Sequence, residues 1–340
     1  MSTIHDVAEK AGVSIKTVSR VLNDASSVSE KTRQKIEHAM QTLDFAPSAA
    51  ARMLRGRPTD LVAVIAEQLT TTPDSSEIIK GIQSVCEQLG KMLLIGETGG
   101  HAATANRLVA DMRERRVEAI MFATPFHAQV TLEPILGATP TVLANCFEVP
   151  ARFPQIVPDD EGGGYAAGQL VLQAGHKKIA LLQLIPHMVA TDLRLQGFLR
   201  AMREHGVTPR EQWLLHGAAP IPDAEFSHLH DAIDRLFASR DRPTAILCGN
   251  DKMALRVIFI LQRRGLRVPD DVSVVGFDDF RLISEALDPG LTTVALPYRE
   301  IGALAARRAF AGDSVADTVR VPCLAVERGT VTSPAKGKRG

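Results

Sequence analysis

The chain is short of cysteine and aromatic residues, carries no net charge and has no long apolar run, and each shortage removes a class of protein. Cys86, Cys146, Cys248 and Cys323 are the only four cysteines in 340 residues, with no CxxC pair and no metal-ligand spacing. That pattern leaves neither a disulfide framework nor a zinc site and predicts buried, reduced thiols. No stretch reaches the roughly 18 apolar residues that cross a bilayer, and no secretory pattern precedes the first helix, so a cytoplasmic protein without membrane contact is expected. No two histidines stand at the i, i+4 spacing of a zinc pair, and neither metal nor cofactor is expected. The glycines at 162–164 lack the Lys-Ser/Thr of a phosphate loop and read as a flexible entry to the next helix.

Charge balances at 39 basic and 39 acidic residues, but unevenly along the chain: residues 1–58 hold 9 Lys and Arg against 6 Asp and Glu, the remainder 30 against 33. An excess of three is too small for one copy to hold a polyanion such as DNA strongly, so any such binding would take two of these segments acting together. The same segment has the pattern of three short helices. Thr3 can cap the first, which places Ile4, Val7, Ala8 and Ala11 on one face and ends at Gly12. Ser14 can cap the second, with Val18, Val21 and Leu22 inward and Ile15, Lys16, Thr17, Ser19 and Arg20 outward. A third, from Ser29, carries Ile36, Met40 and Leu43. Two helices joined by a tight glycine turn make a helix-turn-helix, whose second helix enters the major groove; a plain three-helix bundle with a solvated face has the same spacing.

DVAEKAGVSIKTVSRVLN, VSEKTRQKI and AARMLRG resemble the signature of LacI-family transcription regulators, and the resemblance extends through most of the chain. It implies that Ile15, Lys16 and Arg20 read base edges, Lys and Arg suiting guanine and Ile15 a thymine methyl. Thr17, Asn23, Ser29 and Arg33 match positions that hold phosphates. SAAARMLRG, between Pro47 and Pro58, is about two turns long and marginal as an isolated helix. It resembles the family's hinge helix, which implies that paired copies enter the minor groove, Leu54 wedging between base pairs and Arg52 and Arg55 anchoring it. Packing of Met53 and Leu54 against the rest of the protein is the plainer alternative.

From Leu61 onward, short apolar runs alternate with amphipathic helices. LVAVIA, MLLIG, AIMFA and TVLAN form one strand series, with helices near 76–89, 102–115 and 128–137. IALLQ, WLLHG, AILCG and SVVGF form a second, with helices near 163–174, 192–205, 225–238 and 251–264. Continuous apolar strands between helices predict parallel sheets covered on both faces. The fold class is therefore α/β: a three-helix headpiece and hinge helix, then a core of two doubly wound lobes, periplasmic-binding-protein-like by the resemblance. The expected division is 1–46 headpiece, 47–58 hinge, 59–158 with 290–320 first lobe, 159–289 with 321–332 second lobe, and 333–340 a basic tail. LTTVAL is expected to return to the first lobe with the helix near 298–310, and CLAVERG to the second.

Ligands of open α/β sheets sit beyond the carboxyl ends of strands. Asn250 and Asp251 follow one such strand, Asp278 and Asp279 another. Capping accounts for Asp251; the resemblance puts Asn250 and Asp278 in an effector cleft, with Arg194 of DLRLQGF as a charged donor fork. Asp159 matches an aspartate that either lines the cleft or holds a crossover strand. Aromatics make up 4% of the chain, and EQLTTTPDSSE stands where many relatives carry aromatic residues, leaving Phe226 and Phe126 as stacking candidates and Thr70, Thr71 and Thr72 as hydroxyl partners. The resemblance implies a carbohydrate-like effector, and the scarcity of aromatics points to one more polar than a plain hexose, a sugar acid, polyol or sugar phosphate, for which Arg194 supplies the positive charge. The expectation is a homodimeric repressor on near-palindromic double-stranded operator DNA, and no enzyme. A solute-binding protein would need a leader and has no use for residues 1–56, and cleft chemistry would need paired carboxylates where Asp278 and Asp279, as neighbours, point apart.

Overall fold

Side-chain hydroxyls start the headpiece helices. The computed structural model describes all residues except 1, 23–26, 46–58, 69–74, 133–136, 221–224, 313 and 335–340, and residues 1–60 and 61–340 form two separate compact units. In the first, the Thr3 hydroxyl accepts the Asp6 N–H while the Asp6 carboxylate accepts the Thr3 N–H at 2.7 Å, a reciprocal cap on α1 (Ile4–Ala11). Gly12, at φ +66°, turns the chain out of that helix, a conformation costly for any residue with a Cβ. The Ser14 hydroxyl accepts the Thr17 N–H at 3.1 Å at the start of α2 (Ile15–Leu22). Ser29 caps α3 (Glu30–Thr42) in the same way. Val7, Val18, Val21 and Ile36 are buried together, with Met40 and Leu43 packed against them. The segment expected to form the hinge helix, 47–58, lies outside the described residues.

The larger unit runs β1 (Leu61–Ala66), α4 (Ser76–Gln88), β2 (Met92–Glu97), α5 (Ala102–Glu114), β3 (Ile120–Gln129), β4 (Thr141–Phe147) and β5 (Gln155–Asp159). There follow α6 (Asp160–Gln173), β6 (Ile179–Gln183), α7 (Val189–Glu204), β7 (Leu214–His216), α8 (Leu229–Phe237), β8 (Ala245–Cys248), α9 (Asp251–Arg263) and β9 (Ser273–Val275). The single turn α10 (Arg281–Ser284), β10 (Thr293–Ala295), α11 (Tyr298–Phe310), β11 (Thr318–Pro322) and β12 (Leu324–Val326) complete it. A six-stranded parallel sheet in the order β11-β5-β4-β3-β1-β2 forms the first lobe, and a four-stranded parallel sheet, β7-β6-β8-β9, the second. Both reverse strand order beside their first strand, which opens a crevice at the carboxyl ends. Val62, Val64, Met121 and Val142 face α4 and α11 on one side of the first sheet, Ala63, Ile65 and Ile120 face α5 on the other. This two-sided burial is why those strands read as unbroken apolar runs.

The structure departs from the expected elements in three places. LTTVAL does not join the first lobe: β10 pairs antiparallel with β12, and Leu291 and Val294 pack in the second-lobe core, because the Gly276 and Asp278 N–H groups donate to Thr292 and Val294 carbonyls. The helix expected near 128–137 is absent over 128–132. After a register shift β3 instead continues beside β4, pairing Ala128 with Cys146 and Gln129 with Phe147. β5 and β11, too short and too polar to stand out in sequence, pair in parallel at the sheet's other side. The chain crosses between lobes three times, at 159–160, 295–298 and 322–324.

Candidate functional site

On the headpiece, the two buried valines of α2 fix which residues face outward. Ile15 is 38% exposed, and Lys16 and Arg20 are exposed beside it. An exposed isoleucine between a cap and a lysine has no folding role here, and it gives this face both an apolar and a cationic contact. Thr17 is half-buried with its hydroxyl 2.8 Å from that of Ser14, and the Ser29 hydroxyl is 2.9 Å from that of Thr32. Both therefore spend their side-chain hydroxyls on helix starts. Arg33 is half-buried on α3; Asn23, Arg52, Leu54 and Arg55 lie outside the described residues.

In the core, the sequence motif pointed to Asp159, but the structure buries its neighbour. Asp159 accepts the Gly162 N–H at 3.0 Å and caps α6. Asp160, the first residue of α6, is wholly buried where the chain passes between lobes. Its Oδ1 accepts from Arg194 Nε at 2.7 Å, and its Oδ2 lies 2.8 Å from Nδ1 of His127 on β3. A second Arg194 nitrogen, Nη1, donates to the Gly249 carbonyl at 2.7 Å, and the guanidinium covers the Phe277 ring at 3.6 Å. First lobe, crossover and second lobe are thus joined by one chain of polar contacts. Burial opposes the Asp160 charge, yet the Arg194 cation and the His127 contact outweigh it and hold the carboxyl below its usual range. Burial likewise opposes the Arg194 charge, which Asp160 and then Asp278 sustain above the ordinary arginine value.

α6 and α7 position this pair by touching. The glycines at 163–164, read as a flexible entry, are instead buried inside α6, where a Cβ on Gly164 would lie 2.1 Å from the Arg194 carbonyl oxygen. Reciprocally, a Cβ on Gly197 would lie 1.9 Å from that of Glu161. A cavity of about 20 Å³, room for one water, lies behind the arginine among Gln183, Thr191, Phe198 and Gly249.

The cap expected of Asp251 is made by Asn250. Asn250 caps α9 through the Met253 N–H at 2.8 Å. Asp251 is wholly buried and accepts from the Phe280 N–H at 2.7 Å and the Thr293 hydroxyl at 2.6 Å, tying α9 to the hinge strand β10. Burial pushes its carboxyl up to about 7. Asp278, at φ +110°, exchanges backbone hydrogen bonds with Val294 and Leu296 and lines a 710 Å³ cavity with Phe280, Leu296, Tyr298 and Arg299. Asp279 is bound at 2.8 Å by both Arg328 and the Ser284 hydroxyl. Phe226 is not brought to Arg194: it lies under Arg256 at 4.9 Å and lines a 200 Å³ cavity with His230, Phe259 and Arg263. Its place follows from apolar packing on the α8–α9 face of the second lobe. Phe126 is 49% exposed on β3, and Thr71 lies outside the described residues.

Sequence reasoning passed over His127, Asp160 and Asn145. Asn145 ends the apolar run of β4 at φ +61°, buried, with its amide donating to the Thr124 carbonyl at 2.9 Å and its Oδ1 unpartnered among the described residues. A polar residue closing an apolar strand was the available signal for it. His176 bonds Thr244 and the Thr332 carbonyl at the base of the second lobe, a structural role. Among the described residues no group of three or more His, Cys, Asp or Glu side chains is placed to hold a metal, and no helix is long and apolar enough to cross a membrane.

Two family models match: "Bacterial regulatory proteins, lacI family" over residues 3–48 and "Periplasmic binding protein-like domain" over 169–331. The HTH-type transcriptional repressor PurR of Vibrio vulnificus is 36% identical over 304 residues, covering 89% of each chain. The sucrose operon repressor of Shigella flexneri is 33% identical over 330 residues, 95% of this chain and 98% of the relative. Among solved structures, the lac repressor dimer bound to operator and the anti-inducer ONPF superposes with a TM-score of 0.81 at 28% identity, covering 97% of this chain and 99% of that one.

Proposed function

Because this chain is a transcriptional repressor belonging to the lacI family of bacterial regulatory proteins, we propose that it binds a near-palindromic operator as a homodimer and releases or grips it in response to a small hydroxyl-bearing effector in the cleft between its lobes. The observation that carries this is the pairing of an outward Ile15–Lys16–Arg20 face on α2 with a buried Arg194 at the carboxyl ends of the second-lobe strands. Ile15, Lys16 and Arg20 read bases in the major groove, while Thr17, Asn23, Ser29 and Arg33 fix register on phosphates. Residues 47–58 act as the hinge, Leu54 wedging the minor groove between Arg52 and Arg55.

Support for a dimer comes from the first lobe's edge, where β2 exposes Met92 and Ile95, with Leu89 just before it; Leu282 and Phe259 are exposed on the second lobe. An apolar sheet edge left open is a pairing surface. The polar groups we assign to the cleft are Arg194, Asn250, Asp278, Asp159 and Thr71, together with Asn145, whose Oδ1 has no partner among the described residues. Phe226 is left out of this set.

Effector and operator must influence one another by the same factor. Titrating a fluorescent operator fragment with the full chain, in the presence of sucrose, cellobiose, polyols and nucleobases in turn, tests this. One of them is expected to change operator affinity, and operator is expected to change that ligand's affinity equally. Unequal factors would contradict the coupling.

A further inference from the structure

Arg194 is the one cation the cleft was expected to offer an anionic ligand, and its charge is already taken. Asp160 holds Nε at 2.7 Å, the Gly249 carbonyl holds Nη1 at 2.7 Å, and the Phe277 ring covers one face of the guanidinium. Asp160 is itself locked in place, wholly buried and 2.8 Å from His127 on the opposite lobe, so it does not swing aside as a surface carboxylate would. Asp278 adds a second negative charge felt by the arginine. Among the described residues, Nη2 of Arg194 makes no hydrogen bond and is the donor left for a ligand.

We propose that Asp160, held by His127, sets the ligand class of this cleft: it fills the anion position on Arg194, so the cleft accepts neutral hydroxyl- or carbonyl-bearing molecules and excludes carboxylates and phosphates. This rests on the effector reading of the cleft and narrows it, removing the sugar acids and sugar phosphates that the bare arginine admitted. A neutral acceptor gains one charge-assisted hydrogen bond from Nη2. An anion meets a guanidinium whose charge is cancelled and the further carboxylate of Asp278, and displacing Asp160 would leave its own carboxylate buried without its partner.

The test uses the full chain and inorganic phosphate, the simplest oxyanion, followed by calorimetry at pH 7. The wild-type protein is expected to show no saturable phosphate binding, and Asp160→Asn, which removes the charge and keeps the shape, to gain at least about tenfold in phosphate affinity. Wild-type binding that is lost in Arg194→Met overturns the proposal, as does a folded Asp160→Asn protein that gains nothing. Should Asp160→Asn fail to fold, thermal shifts of the wild-type protein with glucose 6-phosphate and glucuronate decide: stabilisation by either anion beyond that by glucose overturns it, and exclusion of both upholds it. Failure of the effector reading itself would appear elsewhere, as operator binding that no neutral ligand alters.

Discussion

Asp160 and Arg194 face one another at 2.7 Å with less than a tenth of either exposed, one on the first turn of α6 and the other on α7. Removing one partner of such a pair leaves an uncompensated buried charge, at a cost of about 3–5 kcal/mol. Arg194→Ala and Asp160→Ala are each expected to lose that much in urea unfolding, and the double substitution to lose clearly less than their sum. Simple additivity would mean that the two side chains do not act as a pair.

A second buried carboxylate works in the opposite sense. Burial raises Asp251 to about 7 in the folded protein, above its unfolded value near 3.9, so the folded state holds the proton more tightly over that window. Folding stability from this group is therefore fully present below about pH 4 and falls as pH rises towards 7, by about 1.4 kcal/mol per unit. Thr293 and the Phe280 N–H hold the carboxylate, Asp279 adds to the shift and Arg328 works against it. Asp251→Asn is expected to flatten this slope, so the variant gains on the wild type between pH 5 and pH 8. Parallel stability curves for the two proteins would refute the assignment.

Much of this was legible in the sequence, and the rest was lost for identifiable reasons. Thr3, Gly12, Ser14 and Ser29 announce the headpiece because capping is a local matter of one hydroxyl and one turn. The apolar strands announce two parallel sheets because both their faces are buried. β5, with a sequence of QIVPD, and β11, with TVRVP, carry no such signal, since they form only where the late chain returns beside the middle of it. That Asn250 rather than Asp251 makes the α9 cap turns on which of two adjacent polar residues points into it, a rotation that composition does not encode. His127 and Asp160 are 33 residues apart, and nothing short of the fold brings them together.

The glycines that seat α7 on α6 carry a further expectation. Gly164→Ala and Gly197→Ala would each drive a methyl group onto backbone oxygen at about 2 Å separation, which the helices relieve only by moving apart. Each is expected to cost about 1–3 kcal/mol or more, seen as a lower urea midpoint. Because Arg194 rides on α7, its Asp160 contact should loosen as well. Wild-type midpoints in both variants would mean that the two helices do not meet as described.

The dimerisation proposed for the first-lobe edge would make charge there disruptive. Met92→Lys with Ile95→Glu replaces two exposed apolar side chains, one on each face of the edge strand β2, and leaves the half-buried Leu93 and Leu94 in place. Sedimentation velocity is expected to show a dimer for the wild type and a shift towards monomer for the variant, with unchanged thermal unfolding at high concentration. A variant that sediments as the wild type does would move the interface elsewhere.

The central claim, a two-headed reader of DNA whose address lies on α2, is tested most directly by selecting operators from random double-stranded DNA with the full chain and with its Lys16→Ala variant. The wild type is expected to enrich a near-palindrome, and Lys16→Ala to relax or change one base pair at symmetric positions of both half-sites. Enrichment of sequences without two-fold symmetry, or identical preferences in the two proteins, would contradict it.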